Sequence, residues 1–140
     1  EVFDSATGQT IAGVRATVPG CYESAEDLAL GTLERGALIG TNTTLGIIAT
    51  NVQLSKAQLK KVAEMAHDGL ARAVRPAHTL FDGDTIFAVS VTNAPKRSQE
   101  VTPQLINKLG VAAAAAMQSA ILNAVRLTSS VDGVPAQKDW

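Results

Sequence analysis

The chain has 140 residues, 46% hydrophobic and 18% charged, enough apolar content for one packed domain and too much for a disordered segment. Its 12 basic and 13 acidic side chains leave a formal net charge of -1, so no basic face is offered to a nucleic acid or an anionic membrane. Aromatic residues are 4%, few for stacking bases, and the single cysteine, Cys21, excludes an internal disulfide framework and a cysteine-based zinc site.

Glu1-Val2-Phe3-Asp4 carries neither an initiator Met nor the charged and apolar regions of a signal peptide, so the chain reads as the middle of something longer. Its start therefore says little about location, with the cytoplasm favoured. Ile11-Ala12-Gly13-Val14-Arg15-Ala16-Thr17-Val18 predicts a strand, preceded by the turn signal Thr7-Gly8-Gln9 and ended by Pro19-Gly20. Residues 24–40 lack clean periodicity and read as loop with one short helical piece. Thr43 to Thr50 predicts a strand apolar on both faces, the pattern of a sheet covered on both sides.

Ser55-Lys56-Ala57-Gln58 has capping-box spacing, and Leu59, Val62, Ala63, Ala66, Leu70, Ala71 and Val74 follow as one helical stripe. Arg75-Pro76 closes that helix, giving it about 19 residues, or roughly 28 Å. Phe81-Asp82-Gly83-Asp84 predicts a turn, Thr85 to Thr92 a second strand and residues 93–100 a polar loop. Thr102-Pro103 is a helix start, and the helix is expected to run to about Arg126.

Within that helix, the apolar stretch from Gly110 to Val125 is interrupted by Gln118, Ser119 and Asn123 and is shorter than the roughly 20 residues of a membrane span. A buried helix in a soluble protein explains it better, and Ala112 to Ala116 allow close packing against another layer. The tail from Thr128 reads as loop, and no internal repeat is found. Strand, helix, strand, helix implies an α/β layered domain.

Several constellations carry chemistry. If the Asn42–Thr43 bond were cut, Thr43 would hold a nucleophile and a base in one residue: the hydroxyl attacks and the freed α-amine takes its proton. An α-amine has a reference pKa of about 7.7–8.0, so a useful fraction is neutral near physiological pH. Read alone, Asn-Thr is also an ordinary turn before a strand. Asp82 and Asp84 flank Gly83 at the mouth of the second strand, where they can hold an ammonium, orient a proton donor or simply form an acidic turn.

The only imidazoles, His67 and His78, do not have zinc-hydrolase spacing. His67 is expected to make a structural hydrogen bond, and His78 either to reach an active site or to fix its loop. No Gly-x-Ser-x-Gly elbow or glycine-rich phosphate loop is present, and no cofactor or metal is implied.

Three runs together resemble the DmpA-type family of L-aminopeptidase/D-esterases, β-peptidyl aminopeptidases and nylon-oligomer hydrolases. They are Asn42-Thr43-Thr44-Leu45-Gly46-Ile47-Ile48-Ala49-Thr50-Asn51, Met65-Ala66-His67-Asp68-Gly69-Leu70-Ala71-Arg72-Ala73 and Arg75-Pro76-Ala77-His78-Thr79-Leu80-Phe81-Asp82-Gly83-Asp84-Thr85. Phe3 to Gly13 adds a further similar segment. The resemblance implies an αββα sandwich of the N-terminal-nucleophile kind, present here only in part, in a precursor that cuts itself and keeps both pieces together.

By that resemblance Thr43 matches the nucleophile and Asn42 the last upstream residue. Asp82 and Asp84 match the acidic positions that hold the new amine and orient the hydroxyl. Residues 1–42 would then be the end of the upstream piece, with an exposed loop before the cut, and residues 43–140 the nucleophile-bearing piece. The family's lysine or tyrosine near the nucleophile and its asparagine oxyanion donor have no counterpart in this chain. The implied partners are the upstream portion of the same precursor, a peptide or related amide or ester substrate, and further copies in a homo-oligomer. An acyltransferase of the ornithine acetyltransferase type and a non-catalytic binding or assembly protein with the same fold remain the alternatives.

Overall fold

The computed structural model describes residues 1–31, 43–91 and 100–140. Its centre is a parallel pair of strands, β5 (Leu45–Thr50) and β6 (Thr85–Ser90), in unbroken register from Leu45 opposite Thr85 to Thr50 opposite Ser90. A parallel pair needs a crossover, and helix α2 (Lys56–Ala73) supplies it. Helix α3 (Pro103–Arg126) packs alongside α2. Ahead of these lie two small antiparallel hairpins, β1 (Val2–Asp4) with β2 (Gln9–Ala12) and β3 (Val14–Arg15) with β4 (Tyr22–Glu23), then the short helix α1 (Ala25–Ala29).

Both long helices begin where their side chains can satisfy the free amides of a first turn. Ser55 Oγ accepts from the Gln58 amide at 3.3 Å while Gln58 Oε1 accepts from the Ser55 amide at 2.9 Å, a reciprocal capping box. Thr102 Oγ1 accepts from the Leu105 amide at 3.3 Å, with Pro103 in the first turn. α2 ends at Val74, whose extended backbone leads into Arg75 and a cis bond to Pro76. The expected span of about 19 residues is 18.

The core comprises Leu54, Val62, Ala66 and Leu70 with Ile86, Ala113 and Met117. Gly69 makes the α2–α3 contact possible, because a Cβ there would overlap the Ala114 carbonyl. A glycine inside a helix costs about 1 kcal/mol relative to alanine, offset here by backbone-to-backbone approach. α3 has 24 residues and a mean hydropathy of 1.4 over its apolar stretch, 22% of it buried, so by length and composition it is long and apolar enough to cross a membrane. That stretch exceeds the shorter one considered in the sequence. Its buried residues, Gly110, Ala113, Ala114 and Met117, include the side that meets α2 and the core.

Two expectations about the strands differ from the structure. Residues 11–18 are not one strand: Gln9–Ala12 pairs with β1 and Val14–Arg15 with β4, so the chain changes partner at Gly13. The strand pair is also covered on one face only by the described residues. Leu45, Ile47, Phe87 and Val89 project outward at 72%, 66%, 57% and 38% exposure, while Ile86 and Ile48 turn toward the helices. Apolar composition on both sides of a strand reports that both sides prefer cover, and cannot say which segment provides it.

The amino-terminal hairpin is tied to the helices by mixed contacts. Val2 bridges to Val74, the Arg75 guanidinium lies 3.7 Å above the Phe3 ring, and Asp4 is buried against Arg126. The carboxyl tail, expected to be loop, folds back through a 3-10 turn, Gln137–Asp139, onto the second hairpin. There Arg15 donates to the Pro135 carbonyl and stacks 4.6 Å from the Trp140 ring, whose Nε1 donates to the Cys21 carbonyl at 3.3 Å.

Candidate active site at the mouth of the strand pair

In a parallel pair both strands start at the same end, so residues just ahead of β5 and β6 become neighbours although far apart in sequence. Thr44 is held on both sides there. Its carbonyl accepts from the Thr85 amide at 2.9 Å and its amide donates to Asp84 Oδ1 at 2.9 Å. Thr43 is the next residue out and is exposed. Its hydroxyl rests over Gly83: a Cβ built on Gly83 would lie 2.7 Å from Thr43 Oγ1. Glycine is thus the residue that lets the 82–84 turn approach the threonine this closely.

The two aspartates, equivalent in sequence, take different partners. Asp82 Oδ2 accepts from the Thr79 amide at 2.7 Å, and the Asp82 amide donates to the Thr79 carbonyl at 3.2 Å, so this carboxylate closes the 79–82 turn. Asp84 is nearly buried, with its side chain 8% exposed, and joins two elements. Besides taking the Thr44 amide on Oδ1, it faces His78 Nδ1 with Oδ2 at 3.2 Å. One carboxylate oxygen thus takes a backbone amide while the other lies at ion-pair distance from an imidazole nitrogen.

Sequence spacing leaves His78 between two roles, and the fold brings it to Asp84. His67, reached from α2, meets the His78 ring edge-on, with centroids 4.9 Å apart and planes at 61°. The contact of Gly83 with Thr43 has no signal in the Asp82-Gly83-Asp84 tripeptide, because its partner is supplied by the other strand. Asn42 lies outside the described residues. The structure therefore sets Thr43 against Gly83 and joins Asp84 to Thr44 and His78, while Asp82 closes the adjoining 79–82 turn.

A profile described as peptidase family S58 matches residues 4–138. The chain is 40% identical over 105 residues to a protein of Mycobacterium tuberculosis (strain ATCC 25618 / H37Rv) named an uncharacterized aminopeptidase, covering 70% of this chain and 30% of the relative. It is 34% identical over 90 residues to a 6-aminohexanoate-oligomer endohydrolase of Kocuria sp. (strain KY2), covering 61% and 25%. A protein of the same name from Paenarthrobacter ureafaciens is 35% identical over 88 residues, covering 59% and 25%. The chain spans 25% to 30% of the length of these curated relatives.

Proposed function

This chain belongs to peptidase family S58, and on that premise we propose that it is the nucleophile-bearing part of a self-processing hydrolase that cleaves peptide or related amide and ester bonds through Thr43. The observation that carries the reading is Thr43 itself: an exposed hydroxyl one residue beyond the hydrogen-bonded ladder, seated over Gly83 and next to the one residue whose amide Asp84 holds.

Thr43 Oγ attacks the Asn42 carbonyl carbon, the C–N bond breaks and the acyl group passes to oxygen as an ester. Water opens the ester, leaving Asn42 with a carboxylate and Thr43 with a free amine. In turnover the same oxygen attacks a substrate carbonyl, the amine takes the hydroxyl proton and returns it to the leaving nitrogen, and water then releases the acyl group. A β-branched nucleophile loses little freedom on alignment, since its χ1 has few wells. Asp84 acts on the backbone that carries Thr43, and Asp82 acts on the turn that carries Asp84. The oxyanion donor comes from the upstream portion of the precursor, within the same αββα sandwich.

Two features support that assembly. The apolar face of β5 and β6 that the described residues leave exposed, with Leu45 and Ile47 beside Phe87 and Val89, is a surface that the upstream portion of a longer precursor covers. Residues 1–31 grip the later part through the Val2–Val74 bridge, the Asp4–Arg126 pair and the stack of Arg15 on Trp140, so a cut before Thr43 leaves the pieces joined. Amide substrates are favoured because the relatives are named as an aminopeptidase and as 6-aminohexanoate-oligomer endohydrolases.

The test is intact-mass analysis and amino-terminal sequencing of the full-length protein beside its Thr43→Ala variant. The wild type is expected to yield a fragment starting at Thr43, and the variant to stay whole and to turn over no amide substrate. A Thr43→Ala protein that still splits after Asn42 would refute the assignment.

A further inference from the structure

We propose that His78 is a positioning residue for this site: through Nδ1 it holds the Asp84 carboxylate so that Oδ1 stays on the Thr44 amide, and thereby fixes the backbone from which Thr43 projects. The proposal rests on the reading of Thr43 as nucleophile, although its structural half can be tested without it.

Three observations converge on His78. Its backbone is left-handed, with φ of 59°, a region that non-glycine residues seldom occupy and that histidine, asparagine and aspartate tolerate better than most. Such a conformation persists where the surroundings over-determine it. The His78 side chain, 39% exposed, is met edge-on by His67 with ring centroids 4.9 Å apart. Its Nδ1 lies 3.2 Å from Asp84 Oδ2. That separation is an ion-pair distance, and because a carboxylate only accepts, the proton between the two groups is assigned to Nδ1 in this proposal.

The consequence for Asp84 is geometric. With its side chain 8% exposed, the carboxylate has little water to replace a lost donor, and its two oxygens are coupled by the rigid carboxyl group. If Oδ2 is released, χ rotation of Asp84 withdraws Oδ1 from the Thr44 amide as well. Thr44 then keeps the Thr85 bond on its carbonyl and loses the bond on its amide, the one nearer Thr43. Small misplacements of a nucleophile are expensive in rate, so an effect on chemistry follows.

Paired variants of the full-length protein separate the hydrogen bond from the backbone. His78→Gly accepts the left-handed geometry and removes the donor. His78→Asn accepts it too, and its Nδ2 sits where the imidazole Nδ1 was. Two readouts are taken: NMR exchange of the Thr44 amide, and the rates of self-cleavage and turnover.

His78→Gly is expected to speed Thr44 exchange by about tenfold or more and to lower kcat by about 10- to 100-fold with little change in KM. His78→Asn is expected to restore both to within about threefold of wild type. Should His78→Gly fail to fold, His78→Ala, uncharged and without a donor, takes its place with the same expectation.

Thr44 exchange unchanged in the donor-less variant would overturn the proposal. So would His78→Asn as defective as His78→Gly, because the role would then belong to the ring and its packing. A wild-type protein that never splits before Thr43 sinks the proposed function instead, and in that case Thr44 exchange alone decides whether His78 holds Asp84.

Discussion

The two ends of the β5–β6 pair use one device for different purposes. At the carboxyl end, Ser90 Oγ accepts from the Leu54 amide at 3.1 Å and Thr50 Oγ1 from the Val52 amide at 3.1 Å, turning the chain off the sheet toward α2. At the amino end, Asp84 Oδ1 accepts from the Thr44 amide at 2.9 Å, again a side-chain oxygen on a strand-end amide. The carboxyl end uses neutral hydroxyls beside the core residue Leu54. The amino end uses a nearly buried carboxylate that also lies 3.2 Å from His78 Nδ1, and the exposed Thr43 stands just beyond the ladder. Satisfying a backbone amide is thus common to both ends, and a carboxylate, a neighbouring imidazole and an exposed threonine set the amino end apart.

The sharpest way to break that distinction is Gly83→Ala. The new Cβ would lie 2.7 Å from Thr43 Oγ1, so the threonine must leave its rotamer or the turn must retreat. Turnover and self-cleavage are expected to fall by about 100-fold, with a thermal midpoint close to that of wild type. Loss of stability without loss of rate would mean that Thr43 does not depend on this contact. The matching change at the other end is Ser90→Ala, which leaves the amide of nearly buried Leu54 without its acceptor. It is expected to cost about 1–2 kcal/mol in denaturant unfolding while kcat stays at the wild-type value.

A smaller effect is expected away from both ends, at Asp4. Its carboxyl is held below the usual carboxylate range, first by the Ala6 amide and also by Arg126. The stability it contributes is present above its unfolded pKa and is lost as pH falls through the lower folded value. Asp4→Asn should therefore lower stability at neutral pH and shallow the acid loss, with unfolding followed from pH 7 down to below the ordinary carboxylate range. An unchanged acid limb would show that other carboxylates carry it.

Legibility in the sequence followed the range of the interactions. The starts of α2 and α3 were readable to the residue, because Ser55 with Gln58 and Thr102 with Pro103 cap their own helices within three positions. The strand cores at 45–50 and 85–90 were readable from β-branched apolar runs. Residues 11–18 failed as one strand because pairing decides strand limits in short hairpins, and two different partners divide this segment. Asp82 and Asp84 looked alike because each stands beside the same glycine. Only the arrival of Thr44 and His78 made one a joint between elements and the other a turn closure.

By itself, then, the order of residues determined the two long helices, the two apolar strands, and a threonine placed ahead of a strand. Those features depend on neighbours a few residues away, whose geometry the backbone repeats set. The tertiary structure alone decided that Gly83 lies under the Thr43 hydroxyl, that Asp84 takes the Thr44 amide, and that His78 takes Asp84. Each of those contacts crosses from one strand mouth or loop to another, and hydrogen bonds and steric fit act through space over a few ångströms, whatever the separation along the chain.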